Sequence, residues 1–282
     1  MKKVRILFLL VPFVFYSCGI LQNSRQAVSS SMSAASLIST SSRLLKRGGK
    51  AVASSTNTIK GLSISETEII ELSRKYMQKL DSASTIASED NKYAIRLDSI
   101  MRKFDGIDEF NINYKVYIND EVNAFASGDG SLRVYSGLMD KMTNDEVFAV
   151  VSHELGHVKN KDTKDKIKHA YFTVAAHYAV GSVSPKADEL SAEVLSEIGQ
   201  VLSTSVYSRK QEYAADEAAF NYCVANGVSP YAMYDALNVL IRINENSVGP
   251  IGTMQHLFSS LPDAKKRAET VKKMADKHTK KK

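Results

Sequence analysis

One stretch near the middle of the chain has apolar residues at the spacing of a helix with a broad buried face. The apolar positions are Val147, Phe148, Val150, Val151, Leu155 and Val158. Thr143 or Asn144 can cap the start of this helix, and the acidic Asp145 and Glu146 suit the positive end of its dipole. We therefore predict a buried helix around residues 147–158.

The rest of the chain combines helical patterns with one run of short strands. Helical periodicity begins near residue 62 and returns after the strands. Alternating patterns predict strands at 114–118, 122–127 and 132–135. Between the last two, Gly128-Asp129-Gly130 is a strong hairpin turn. The sequence predicts a mainly helical α+β fold with a small three-stranded sheet beside the helix at 147–158.

Two histidines on this helix are spaced to share one metal ion. His153 and His157 are i and i+4, so both imidazoles lie on one face, as the first two nitrogen ligands of zinc require. Glu154 is turned by about 100° from His153 and can act as general base on a water molecule without binding the metal. The alternative is a surface helix that carries two histidines by chance. The apolar neighbours oppose it, because a buried histidine pair needs a partner and a metal supplies one.

A second helix, predicted from about 206 to 226, carries two carboxylates on one face. Glu212 and Asp216 are again i and i+4. We interpret Glu212 as the third zinc ligand, and Asp216 as the acceptor for the other ring N–H of a ligand histidine. Two solvated carboxylates on an amphipathic helix are the alternative. Small residues would let this helix approach another closely: Ala214, Ala215, Ala218 and Ala219.

The strand before the histidine helix is a candidate for substrate binding. It contains Asn123, Ala124, Phe125 and Ala126, and it is well placed to pair with an extended peptide backbone. Plain sheet structure is the alternative, and both interpretations can hold together.

Composition and the ends of the chain predict how it is organised. Hydrophobic residues make up 44% of 282, enough for one sizeable core. Residues 1–17 are typical of a secretory signal, whose apolar run is too short for a comfortable membrane span. Residues 18–61 are predicted to be a Ser-rich tether, 62–275 the domain that carries the metal site and 276–282 a solvated basic tail.

A lipid anchor is predicted at the end of the signal. Ser17-Cys18 resembles a bacterial lipoprotein cleavage site, and Cys18 would become the lipidated N-terminus. Gly19, and not Asp, follows the cysteine, which by the usual sorting rule predicts the outer membrane, facing the periplasm. An uncleaved anchor or ordinary secretion are the alternatives. The formal net charge of +6 does not indicate a nucleic-acid partner.

These motifs, in this order, resemble the HtpX-type zinc metallopeptidases, and within them the bacterial lipoprotein branch of LoiP and BepA. The resemblance rests on 123–126, Gly130, 134–139, 153–157 and 212–216. It implies a zincin-like fold and endopeptidase activity with His153, His157 and Glu212 on one zinc ion. It also implies that Glu154 is the general base and that Asp216 accepts a hydrogen bond from a ligand histidine. Polypeptide substrates, in particular misfolded envelope proteins, and a partner in the envelope assembly machinery are further expectations from the resemblance.

One position departs from the family pattern. Many relatives carry a His-Pro near the C-terminus, followed by an arginine, and the histidine can gate the metal. Here Leu261 stands in its place, which puts that mode of latency in doubt, while Arg267 matches. His256 is nearby in sequence and is the candidate replacement. The alternatives to an active peptidase are a latent enzyme, a non-catalytic outer-membrane chaperone or assembly factor, and a structural zinc site with four protein ligands.

Overall fold

A computed structural model describes residues 64–104, 112–179, 192–246 and 261–281, and helices make up most of these described residues. Before the sheet come α1 (Glu66–Ala83) and α2 (Lys92–Met101), which ends in a 3-10 turn (Arg102–Phe104). The strands are β1 (Asn113–Tyr117), β2 (Ala124–Ala126) and β3 (Ser131–Tyr135). The later helices are α3 (Ser136–Lys141), α4 (Asn144–Lys159), α5 (Asp162–Ala179), α6 (Ala192–Thr204), α7 (Arg209–Ala225), α8 (Ala232–Asn246) and α9 (Leu261–Thr279).

These elements confirm the predicted mainly helical fold with a three-stranded sheet. The short helix α3 was not predicted, and α9 continues four residues into the predicted basic tail. None of the described helices is long and apolar enough to cross a membrane. The predicted signal at 1–17, the tether at 18–61 with Cys18, and His256 lie outside the described residues.

The sheet has the strand order β1-β3-β2. The predicted hairpin is confirmed, because β2 pairs antiparallel with β3 and Gly130 takes a φ of 84° in the turn, a conformation that favours glycine. The first strand, β1, lies parallel to β3 on its far side. The outer edge of β1 is covered by residues 85–87, where Ala87 N donates to Val116 O (2.9 Å) and Ile118 N donates to Thr85 O (2.7 Å). The opposite edge of the sheet is β2.

Helix α4 is the central element of the core. A capping box fixes its start, since Thr143 N donates to Glu146 Oε2 (2.6 Å) and Glu146 N donates to Thr143 Oγ1 (3.3 Å). Every residue from Val147 to His157 is buried, as the apolar pattern predicted. The helix packs against β2, α7 and α8, and its apolar residues share one core with Leu132 and Val134 of β3.

A buried ionic cluster joins α1 to the sheet. Arg133 on β3 is only 2% exposed, and its Nε and Nη2 donate to the two carboxylate oxygens of Asp81 at 2.8 and 2.9 Å. Lys115 Nζ (2.7 Å) and the Tyr117 hydroxyl (2.6 Å) donate to the same carboxylate. Burial alone would raise the pKa of Asp81, but these donors lower it to about 2. The cluster therefore fixes the end of α1 against the face of the sheet that points away from α4.

Replacing Asp81 with asparagine is expected to lower the free energy of unfolding by about 3 kcal/mol, because Arg133 is left as a buried charge without its counter-ion. The folded-state pKa lies below the ordinary value of 3.8, so the stabilisation is complete above that pH and is lost as the pH falls towards 2. Denaturant unfolding of both proteins should therefore show a difference at pH 7 that narrows below pH 4.

The matched control is Glu71→Gln on the same helix. Glu71 pairs with Arg74, but both side chains are about half exposed (45% and 53%). This change should alter the free energy of unfolding by less than about 1 kcal/mol. Equal effects of the two substitutions would contradict the role assigned to the buried cluster.

Candidate metal centre

The two histidines of α4 point their ring nitrogens at one place. His153 Nε2 and His157 Nε2 are 3.2 Å apart, and the imidazole planes are perpendicular. Both residues are almost completely buried, with 3% and 1% of their surface exposed. The helix alone determines this pairing, because i and i+4 side chains share one face.

Helix α7 brings Glu212 to the same place. Its Oε2 lies 3.7 Å from His153 Nε2, and its Oε1 lies 3.8 Å from His157 Nε2. The two helices approach closely at Gly156, where a Cβ atom would lie 3.0 Å from Ala218 Cβ and 3.2 Å from Ala215 Cα. Ala215 and Ala218, two of the small residues predicted to allow close packing, are thus at the contact, and a larger residue at Gly156 would force the two helices apart.

A carboxylate lies behind each histidine. Asp216 Oδ1 lies 3.0 Å from His153 Nδ1, and Asp162 Oδ2 lies 2.9 Å from His157 Nδ1. These acceptors favour the tautomers with the proton on Nδ1, which leaves each Nε2 with a free lone pair. The structure thus places Asp216 behind His153, the position that the sequence left open between the two histidines.

Sequence reasoning missed Asp162. It follows the end of α4, five residues after His157, and no helical spacing brings it to that ring. Lys161 takes a φ of 63°, which turns the chain between α4 and α5. Asp162, the first residue of α5, then lies next to Nδ1 of His157. Gln211 Nε2 donates to the other carboxylate oxygen (2.8 Å), so that α7 also holds this group in place.

The side chains fit a zinc ion. Two nitrogen lone pairs that face each other at 3.2 Å repel unless a cation lies between them. The two Nε2 atoms are 3.2 Å apart, and each lies 3.7 or 3.8 Å from one carboxylate oxygen of Glu212. These separations are close to the value of about 3.4 Å between ligand atoms of a tetrahedral zinc site with bonds of about 2.1 Å. Among the described residues, His153, His157 and Glu212 are the one group of this kind, and no fourth protein ligand joins them. An open fourth position is typical of catalytic zinc sites.

Arg267 on α9 ties this arrangement together. Its Nε and Nη2 donate to the two carboxylate oxygens of Asp216, both at 2.7 Å, and its Nη1 is in contact with Glu212 Oε2. The side chain is only 2% exposed. Burial acts on the pKa of Asp216 in the upward direction, but the guanidinium overcomes it and holds that pKa far below its usual range. Arg267 thus orients both Glu212, a candidate ligand, and Asp216, the carboxylate next to the candidate ligand His153.

Glu154 lies beside the three candidate ligands and is 4% exposed. Its Oε2 accepts a hydrogen bond from Ala126 N at 3.2 Å, so the edge strand β2 fixes the carboxylate. Burial raises the pKa of Glu154 to about 7. A carboxyl group with this pKa can both take up and release a proton near neutral pH.

The predicted substrate strand borders the site. Ala124 and Ala126 belong to β2, and Asn123, immediately before it, is 5% exposed with no hydrogen-bond partner for its Oδ1 among the described residues. Phe125 points to the other face of the sheet, beside Tyr117 and Tyr135. Of these residues, only Ala126 is in contact with Glu154 through a hydrogen bond.

Two further residues near the site were not predicted. Tyr207, in the segment between α6 and α7, stacks on His157 with ring centroids 3.8 Å apart. Lys166 on α5 places its ammonium 4.7 Å from the centroid of the Tyr207 ring. Neither residue lies at a helical spacing from His153 or His157, so no local pattern in the sequence links it to the histidine pair.

Several known proteases are similar to this chain in sequence. The model of peptidase family M48 matches residues 89–275. The chain is 33% identical to "Metalloprotease LoiP" of Escherichia coli (strain K12) over 222 residues, which cover 78% of this chain and 86% of that protein. It is 32% identical to "Metalloprotease YcaL" of the same organism over 223 residues, 79% of this chain and 85% of that protein. It is also 27% identical to a "Protease HtpX homolog" of Methanopyrus kandleri over 183 residues, 54% of this chain and 56% of that protein.

Proposed function

The chain belongs to peptidase family M48 and is a zinc metalloendopeptidase, and we propose that it hydrolyses cell-envelope proteins with Glu154 as general base. The observation that carries the proposal is the convergence of three buried candidate ligands beside a buried carboxylate. In this assignment His153, His157 and Glu212 hold the one zinc ion.

The mechanism assigns a separate task to each side chain. When bound, zinc supplies a Lewis acid that polarises the scissile carbonyl and lowers the pKa of water. Glu154 takes a proton from the attacking water and passes it to the leaving amine. Asp216 and Asp162 hold the two imidazoles in one tautomer and one orientation.

The edge strand β2 is assigned to the substrate backbone. Ser127 N donates to Ser131 O and Tyr135 N donates to Asn123 O, so the odd-numbered residues of this segment pair with β3. Ala124 and Ala126 therefore direct their main-chain groups to the open edge. An extended peptide can pair there, with its scissile bond brought beside the carboxylate that Ala126 N holds.

The cellular setting is proposed from the sequence pattern of the first residues. Cleavage before Cys18 and its lipidation would anchor the enzyme to the outer membrane, facing the periplasm, and residues 18–61 would act as a tether. The substrates available there are envelope proteins in unfolded or misfolded form, and a component of the envelope assembly machinery is the proposed partner.

The test is cleavage of casein, an unfolded protein, by purified residues 19–282. We expect cleavage with zinc, loss of cleavage with a chelator, and recovery when zinc is added back. Zinc content should be measured on the same samples. Zinc-bound protein that cleaves nothing would contradict a constitutive peptidase. If that protein also suppressed aggregation of unfolded envelope proteins, the chaperone alternative would replace the peptidase assignment.

A further inference from the structure

A half-buried lysine lies next to the metal centre without an ion-pair partner among the residues that the structure describes. Lys166 stands one turn after Asp162 on α5. Its ammonium lies 4.7 Å from the centroid of the Tyr207 ring, which stacks on His157 at 3.8 Å and 17°. Ammonium, phenol ring and imidazole therefore form three successive layers, with the candidate zinc ligand at one end.

The environment of this ammonium favours an anion. Burial lowers the pKa of Lys166 to about 8, against the attraction of Glu154 and Glu212. The amine is therefore still mostly protonated at neutral pH, and its contact in the described part of the chain is with the face of an aromatic ring. A cation that is partly removed from water is stabilised when an anionic group enters and pairs with it.

The position of Lys166 decides which anion can reach it. Lys166 makes no ion pair with Glu154 or Glu212, although both carboxylates attract its ammonium. It contacts the Tyr207 ring, which in turn stacks on His157, so the ammonium lies beside the three candidate ligands and not at them. The distance across the two ring layers corresponds to about two residues of an extended peptide. The group that it can meet is therefore part of the substrate on one side of the scissile bond.

On the basis of the proposed function, we propose that Lys166 binds a carboxylate of the peptide substrate within about two residues of the scissile bond. An acidic side chain and a free C-terminus share this chemistry. An ammonium on a long flexible stem suits either group, because it donates to a carboxylate oxygen from several directions.

The experiment uses one casein-derived peptide with a mapped cleavage site. In its variants, the residue one or two positions from the scissile bond, on each side, is Glu, Gln or Lys. A second set ends two residues beyond the bond as the free acid or the amide. If the carboxylate belongs to an acidic side chain, we expect kcat/KM to be at least about tenfold higher for the Glu peptide than for the Gln peptide. If it belongs to a free C-terminus, we expect the same difference between the free acid and the amide.

Matched variants test whether Lys166 is responsible. Lys166→Met keeps the apolar stem and should reduce the preference to less than about twofold, and Lys166→Arg should retain most of it. The control is Lys168→Met, an exposed position on the same helix, which should keep the full preference. All variants should bind one zinc ion per chain.

A binding measurement separates this inference from the peptidase assignment. Fluorescence anisotropy with the Glu154→Gln protein should show tighter binding of the preferred carboxylate peptide, and the difference should disappear when Lys166→Met is added. Normal cleavage without any charge preference, or an equal loss for all peptides in Lys166→Met, would overturn the inference and leave the peptidase intact. If no peptide were cleaved but the carboxylate peptide still bound more tightly, the result would contradict the peptidase assignment and support the role of Lys166.

Discussion

Replacement of Glu154 with glutamine is expected to lower kcat for casein hydrolysis by about 10²- to 10⁴-fold while one zinc ion per chain is retained. Glutamine has nearly the same shape and can still accept the hydrogen bond from Ala126 N, but it cannot take up a proton. Since Glu154 is not among the three candidate ligands, zinc content should not change. Initial rates and metal analysis on the same preparation measure both quantities.

The matched control for this change is Glu146→Gln. Glu146 stands on the same helix, at its first turn, and glutamine can replace glutamate in its capping box. This protein should retain its kcat and its zinc. Loss of zinc in Glu154→Gln would mean that Glu154 is needed to hold the metal, and undiminished cleavage would remove it from the mechanism.

Replacement of Arg267 with methionine is expected to lower the free energy of unfolding of the zinc-free protein by about 3–5 kcal/mol. The change leaves the carboxylates of Asp216 and Glu212 buried without the cation that they contact. Zinc should recover part of the loss, because it supplies positive charge to the same group of carboxylates. We also expect kcat/KM to fall about 10- to 100-fold, since Asp216 no longer holds His153 in a fixed orientation.

Denaturant unfolding with and without zinc, and peptide kinetics, measure these effects. Arg267→Lys keeps the charge but loses the two-pronged contact with Asp216, so it should recover only part of the stability. Lys266→Met, an exposed neighbour on the same helix, should change neither quantity. A loss below about 1 kcal/mol in the zinc-free Arg267→Met protein would show that the carboxylates are stabilised by other groups.

The charged residues around the site differ in how far along the chain their partners lie. His153 and His157 meet through the repeat of one helix, whereas Arg267 reaches Asp216 across 51 positions of sequence.

The sheet shows the same difference. The strand at 114–118 was predicted, but its parallel pairing with β3 was not. Such contacts depend on how separate elements pack, and no local pattern encodes that packing.

The sequence by itself determined the helix that carries the histidine pair, the face shared by Glu212 and Asp216, the hairpin, the family and the zinc chemistry. The helix, the shared face and the hairpin follow from periodicity, spacing and turn residues, which are local properties of the chain. The family follows from the resemblance of the motifs, in their order, to those of known proteins, and the histidine pair with that resemblance indicates the zinc. Only the tertiary structure decided that Asp216 serves His153 and that Asp162 serves His157. The second pairing depends on the positive φ of Lys161. Arg267 contacts the site, and Lys166 lies beside it, only because α9 and α5 pack there.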